Sequence, residues 1–397
     1  MEGQKKICFF LISQCITLFG STLVQMAVIW YVTLQTDSGI WVAAFSVCSY
    51  LPQFVISFVG GVWADRYSRK RLILAADTVT ALVTLLVFGM LGVWNEEMKV
   101  RSMLLVMAVL RSLCAGIQAP AVSALLPQLV PREHYMRWNG IYAAMQSVVN
   151  FAAPAAAGAI LAVLPFRSTL LVDVCTAVIG IGIFSVISVP AAAAGKKSSV
   201  REEMKAGLQY CREDRKVGKL VMLYGVFVFL CVPAGFLAGL LVSRVYGDTY
   251  WYLTAVELAG FGGMTAGGLL MSLWGGWKDR YRTLSAGLAL FGAMEVGMGL
   301  APSFPWYLVM MGFYGVALTM VQTTVTVLLQ EQVRARMQGR VFGLLNSAYS
   351  GFLPLGMAVF GPMADLVPLQ GIMAGSGVLL FLLAACVFHG RPHRKRW

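Results

Sequence analysis

Twelve apolar stretches, parted by short charged segments, constrain this chain more than any other feature. They cover residues 7–34, 40–63, 72–94, 103–126, 140–164, 169–189, 220–242, 252–274, 284–301, 306–329, 341–363 and 371–388. A helix needs about 20 apolar residues to cross the hydrocarbon of a bilayer. Apolar residues surround each stretch on all sides, so none reads as an amphipathic surface helix. Only 12% of the 397 residues are charged, against about 25% in a soluble domain, too few to clothe a water-facing surface. Lys5 and Lys6 precede the first stretch, but it is too long for a secretory signal and carries no small-residue cleavage site. It reads as the first span.

The net charge of +13 suggests nucleic acid until its distribution is read. With the N-terminus inside, twenty-six of the 31 lysines and arginines fall on that face and four, Lys99, Arg101, Arg167 and Arg244, on the other. Such asymmetry is the positive-inside pattern, which places both termini in the cytoplasm. The eight cysteines stand singly, without zinc-ligand spacing, and read as small packing residues. The segment "AGKKSS" (194–199) brushes a phosphate-loop pattern, but Pro190 occupies the required glycine and Lys197 follows Lys196. Nucleotide binding is therefore excluded, as is nucleic-acid binding, and no metal or cofactor is expected. No nucleophile–base pair is evident, so the chain does not read as an enzyme.

One polar insert, 191–219, has six spans before it and six after, with a surface helix expected over 200–212. The halves echo each other. "GGVWADRYSRKR" (60–71) aligns with "GGWKDRYR" (275–282), "QSVVNFAAP" (146–154) with "NSAYSGFLP" (346–354), and "LLPQLV" (125–130) with "LLQEQV" (328–333). The expected organisation is an all-α membrane protein of twelve helices in two pseudo-symmetric six-helix bundles, 1–190 and 220–397, joined by the linker 191–219. Each Gly-Gly-Asp-Arg-Tyr phrase falls between the second and third spans of its half. Glycine lets helices approach, aspartate faces a helix N-terminus, and arginine binds carboxylates or carbonyls. That chemistry suits a conformational latch of Gly61, Asp65, Arg66, Arg69, Lys70 and Arg71, with Asp77 as its structural partner and Asp279 and Arg280 in the second half; the alternative is a charge cluster that sets topology only.

Arg111 lies about nine residues inside the fourth span, where an arginine costs roughly 2.5–3.5 kcal/mol. It needs a partner or a wet cavity, the alternative being a helix-to-helix lock through carbonyls, and Asp173 of the sixth span comes within its reach if those two helices are neighbours. Carboxyl groups kept from water can trade protons near neutral pH, which makes Asp173, Glu257 and Glu295, in that order, candidate proton carriers. Gln14, Gln25, Gln118 and Gln322 are intramembrane amides able to line a cavity or to bond helix to helix. Tyr224 and Phe227 add an adaptable apolar surface, though lipid-facing aromatics would read the same. Pro154 and Pro354 occupy matching places and mark flexible, gating bends.

These residues carry a resemblance. Residues 61–71 resemble the signature loop of the major facilitator superfamily. "LRSLCAGIQAPAVSALLPQLVP" (110–131), "VDVCTAV" (172–178), "ELAGFGGMTAGGLL" (257–270) and "QGRVFGLLNSAYSGFLPLGMAVFGPMAD" (338–365) resemble its macrolide-efflux branch. The resemblance implies the major facilitator fold and a proton-driven drug exporter working by alternating access. It implies that Asp65, Arg66 and Arg69 stabilise an outward-open state, and that Arg111 takes part in proton coupling. The fifth span departs from the branch's glycine-proline motif, reading Ala153-Pro154-Ala-Ala-Ala-Gly158. The expected activity is export of a small amphipathic substrate, such as a macrolide, from the plasma membrane in exchange for protons. A siderophore or lysophospholipid cargo, and a membrane sensor or scaffold without flux, are the alternatives. One proton moved through 100 mV supplies about 2.3 kcal/mol, enough for a roughly fifty-fold gradient.

Overall fold

Lipid offers no partner to a peptide group, so each span satisfies its own N–H and C=O groups as a helix. The computed structural model describes residues 2–93, 96–129, 135–187 and 209–389, and among them it is helical with no strand. The helices are α1 (Glu2–Thr36), α2 (Gly39–Arg66), α3 (Arg69–Met90), α4 (Glu97–Leu129), α5 (Tyr135–Val163) and α6 (Arg167–Val186). Then come α7 (Arg215–Leu230), α8 (Val232–Gly235), α9 (Ala238–Val245), α10 (Tyr250–Trp274), α11 (Arg280–Gly299), α12 (Phe304–Gln332), α13 (Ala335–Leu366) and α14 (Leu369–His389). Of the surface helix expected over 200–212, only 209–212 lie within the described residues, and these are helical.

Nine helices among the described residues are long and apolar enough to cross a membrane. The expected spans at 220–242, 284–301 and 341–363 are also helical but fall outside that number, each for a physical reason. The first is broken into α7, α8 and α9, where Pro233 has no amide to donate and the Leu237 amide reaches back five residues to Val232. The helix of the second, α11, begins with Arg280 and Arg282 and carries Glu295 within the span. The third is diluted by Asn346, Ser347 and Ser350.

The chain divides into two compact units. Unit 1 comprises Met1–Thr36, Ala44–Lys197 and Thr249–Thr254. Its α1 packs on α4, α5 and α6, and α3 on α4 and α6. Phe10, Leu11, Ile73, Leu125 and Phe184 share a core at one end, with the rings of Phe10 and Phe184 5.4 Å apart.

Unit 2 comprises Asp37–Ala43, Ser198–Asp248 and Ala255–Trp397. Here α11 packs on α12 and α14, and α7 on α13. Gly292 and Gly377 let α11 and α14 touch backbone to backbone, since a Cβ on either would meet the other's carbonyl oxygen. Between α10 and α11, Gly275 (φ +69°) and Gly276 (φ +76°) make a left-handed turn closed to most side chains.

A polar knot holds the start of α2 within unit 2. Asp365, at the end of α13, accepts from the Gly39 amide (2.6 Å), the Ile40 amide (3.0 Å), the Ser38 hydroxyl (2.8 Å) and Arg244 Nη2 (3.0 Å). It caps a helix far from it in sequence. Arg244 also donates to Asp37 Oδ1 (3.0 Å) and the Ala364 carbonyl (2.6 Å). Burial raises the Asp365 carboxyl, but the bonds from Gly39, Ile40, Ser38 and Arg244 outweigh it and hold the group below its ordinary 3.8. A depressed folded value means the knot contributes fully above the unfolded pKa and is lost only as pH falls through the folded one. Asp365→Ala is therefore expected to cost about 1–2 kcal/mol, read as the same drop in thermal midpoint at pH 5.5 and pH 8 in detergent.

Candidate functional site

Polar groups meet in unit 1 because α3 and α4 each carry several cavity or pair residues along one face, and α1 and α6 bring Ser21 and Asp173 to them. On α4, Arg111, Ala115, Gln118 and Val122 recur every three or four residues; on α3, Asp77, Thr80 and Thr84 do the same. Arg111 Nη1 donates to Asp173 Oδ2 of α6 in a short ion pair and to Thr84 Oγ1 (2.6 Å). Its Nη2 reaches Asp173 Oδ1 and the Ser21 carbonyl of α1, both at 3.4 Å. The Thr84 hydroxyl lies 3.0 Å from Asp173 Oδ2, and the Asp173 side chain is 3% exposed. Four helices thus converge on one guanidinium.

Beside this pair opens a cavity of about 330 Å³ walled by α1 to α5. Five glutamines line it: Gln14, Gln25, Gln53, Gln118 and Gln146. Gln118 Nε2 donates to Asp77 Oδ1 at 2.9 Å. Ser112 accepts from the Gln53 amide at 2.8 Å, next to Pro52 inside α2. The structure therefore brings Gln14, Gln25, Gln118, Asp77 and Arg111 to one wall, with Asp173 behind Arg111. Asp77, expected to serve the signature loop, instead bonds Gln118 and faces the cavity. Gln53 and Gln146 were missed, although an amide inside an apolar run is the same signal that marked the others.

The remaining candidates stand elsewhere. Tyr224 and Phe227 are buried in unit 2, where Phe227 meets Phe291 edge to face at 5.0 Å; neither is lipid-facing. Gln322 is half-buried in α12 and Glu257 half-buried in α10. Glu295 is fully buried in α11; Ser376 of α14 donates to its Oε1 at 2.8 Å, while Oε2 makes no hydrogen bond. Pro154 and Pro354 are buried inside the continuous helices α5 and α13.

The repeated phrase folds differently in its two copies. Gly60, Gly61 and Asp65 are still within α2, whereas Gly275 and Gly276 form a turn and Asp279 caps α11, accepting from the Tyr281 amide at 3.1 Å. The side chain of Asp65 lies outside the described residues. Ser68, not Asp65, is the residue that precedes α3, so Arg69 and Arg280 hold the same place at a helix start. Each reaches back five residues to a carbonyl, Ala64 (3.0 Å) and Gly275 (2.6 Å). Arg69 goes on to the Ala124 carbonyl of α4 (2.8 Å), Arg280 to Glu331 of α12 (3.3 Å). Lys70 donates to the Ser185 and Ile187 carbonyls at 2.6 and 2.7 Å, while Arg66 and Arg71 are exposed.

Among the described residues no three His, Cys, Asp or Glu side chains could hold a metal ion. The sequence matches the Major Facilitator Superfamily profile over residues 10–357 and 249–397. The chain belongs to that superfamily. It is a multi-pass membrane protein. It is 27% identical to macrolide efflux protein A of Streptococcus pyogenes over 96% of this chain and 95% of that protein. It is 22% identical to the multidrug efflux pump Tap of Mycolicibacterium fortuitum over 92% and 90% of the two chains. Its fold matches that of a POT family transporter in complex with 5-aminolevulinic acid at a TM-score of 0.76, with 10% identity over 99% of this chain and 97% of the other.

Breaking a buried ion pair leaves one charge stranded, which costs about 3–5 kcal/mol, whereas replacing both partners by apolar groups is often neutral. Arg111→Leu and Asp173→Leu are each expected to lower the thermal midpoint sharply, and the double variant to recover most of the loss. Fluorescence-detected gel filtration after heating reads both effects.

Proposed function

We propose that the chain is a secondary active exporter of hydrophobic or amphipathic drugs, macrolides among them, which it exchanges for protons by alternating access. One observation carries this reading: a hydrogen-bonding cavity set inside an apolar helical unit, with a guanidinium–carboxylate pair built into its wall. Apolar walls suit the body of such a substrate, and the glutamines suit its carbonyls and hydroxyls. Support also comes from the full-length likeness to macrolide efflux protein A.

In this reading Asp173 is the first candidate proton carrier. As a carboxylate it holds Arg111; as a carboxylic acid it loses the charge that binds the guanidinium. Proton uptake then frees Arg111, and the helices it ties together change their packing. Glu257 and Glu295 rank behind Asp173. The residues around Asp65, Arg66, Arg69, Lys70 and Arg71, with Asp279 and Arg280, latch the cytoplasmic side. Pro154 and Pro354 give α5 and α13 places to bend. The chain comprises bundles 1–190 and 220–397 and the linker 191–219, and lies in the plasma membrane with both termini in the cytoplasm.

Cells expressing the chain are expected to accumulate less macrolide or dye than control cells. An uncoupler, or Arg111→Ala with the protein still in the membrane, should return accumulation to the control level. Export that survives the uncoupler contradicts proton exchange.

A further inference from the structure

We propose that Arg167, with the groove on α3 beside it, is a docking site for one anionic phospholipid, its phosphate held by the guanidinium and an acyl chain laid along α3. The proposal goes beyond export. It rests on the proposed orientation only in assigning the lipid to the leaflet away from the cytoplasm.

The charge count on that face points there. Its four basic residues are Lys99, Arg101, Arg167 and Arg244, on the side of a membrane where positive charge is disfavoured. Three of them are matched by acids. Lys99 reaches Glu96 at 2.8 Å, Arg101 reaches Glu97 at 2.7 Å, and Arg244 reaches Asp37 and Asp365, both at 3.0 Å. Arg167 has no acidic partner among the described residues. Its Nε donates to the Phe88 carbonyl at 3.0 Å, and its guanidinium lies 4.1 Å from the centre of the Phe88 ring. A cation suits the end of α3, and Nε alone serves that end. The ring contact fixes the group in place. Nη1 and Nη2 make no hydrogen bond among the described residues. They form a fork of the kind that takes a phosphate through two parallel bonds. Gly92 makes room for it, since a Cβ there would stand 3.0 Å from both nitrogens.

The groove is a second, independent observation. Leu85, Leu86, Gly89, Met90 and Val93 line a space of about 360 Å³ on α3. Leu85, Gly89 and Val93 follow one another at four-residue spacing, so they share a face of the helix. Gly89 leaves that face bare, because a Cβ there meets nothing within 4 Å. Phe88 and Gly92, which carry the guanidinium, neighbour Gly89 and Val93 in the chain, so charge and groove adjoin. Met90 ends one candidate span and Arg167 begins another, which sets the cation at headgroup depth and the groove in the hydrocarbon. An anionic phospholipid offers both parts together, a phosphate for the fork and a chain for the groove. A zwitterionic lipid carries its own cation next to its phosphate and gains less from Arg167.

The test places the purified full chain in phosphatidylcholine nanodiscs. These contain, at equal low mole fraction, a phosphatidylglycerol or a phosphatidylcholine with the same diazirine-bearing acyl chain. After irradiation the labelled peptides are mapped by mass spectrometry. In wild type the phosphatidylglycerol should label residues 85–93 about tenfold more than the phosphatidylcholine does, as a charge-assisted hydrogen bond provides. Arg167→Gln should bring the two to one level. Lys99→Gln, which removes a cation already paired with Glu96, should leave the preference unchanged. Gly89→Phe fills the groove without altering charge; it should also abolish the preference, and it carries the test if Arg167→Gln fails to fold. Equal labelling by the two lipids in wild type overturns the proposal. So does a preference that survives Arg167→Gln or Gly89→Phe, or one lost to the same degree in Lys99→Gln. Both leaflets of the nanodisc are alike and no drug is present, so none of these outcomes bears on orientation or on export.

Discussion

A guanidinium placed among apolar helices must be matched, and unit 1 is built around that requirement. A guanidinium is a permanent charge in proteins, so burial leaves that of Arg111 to be matched by a neighbour. Asp173 does this from α6, Thr84 and Ser21 take further donors from α3 and α1, and four helices are fixed relative to one another. A hydrophobic substitute for the pair would pack as well or better.

The same geometry shapes the cavity. With Arg111 held by Asp173, the space is lined by the Asp77 carboxyl and by glutamines on α1, α2, α4 and α5. Amide side chains donate and accept without carrying charge, so they can face a wet cavity or a drug without the desolvation cost of an ion. The polar knot follows the same logic at the start of α2, where the Asp365 carboxylate satisfies helix N-terminal amides that have no partner within their own helix.

Much of this was legible in the sequence because lipid makes the rules strict. Apolar runs had to be helices, and an arginine within one had to find a partner; that the partner is Asp173 depended on α4 and α6 being neighbours, which the structure supplies. The break at 231–237 was less legible, since a proline inside a span is tolerated elsewhere in the chain, at Pro154 and Pro354, without interrupting the helix. The duplicated phrase misled in detail. Alignment on Asp65 and Asp279 set Arg66 against Arg280, but helix starts fix the register, and these put Arg69 in that place. Asp77 was drawn toward the nearby loop by sequence distance, whereas one helical face carries it to Gln118. Tyr224 and Phe227 could not be sorted by sequence, because an aromatic ring facing lipid and one packed on Phe291 have the same pattern.

The most direct measurement places the purified chain in liposomes enclosing a pH-sensitive dye and follows internal pH as a macrolide gradient is imposed. Protons should move against the drug, in proportion to its flux, and Asp173→Asn, assayed below its lowered thermal midpoint, should abolish the proton signal. Drug movement without proton movement, or a proton signal unchanged by Asp173→Asn, would contradict the account.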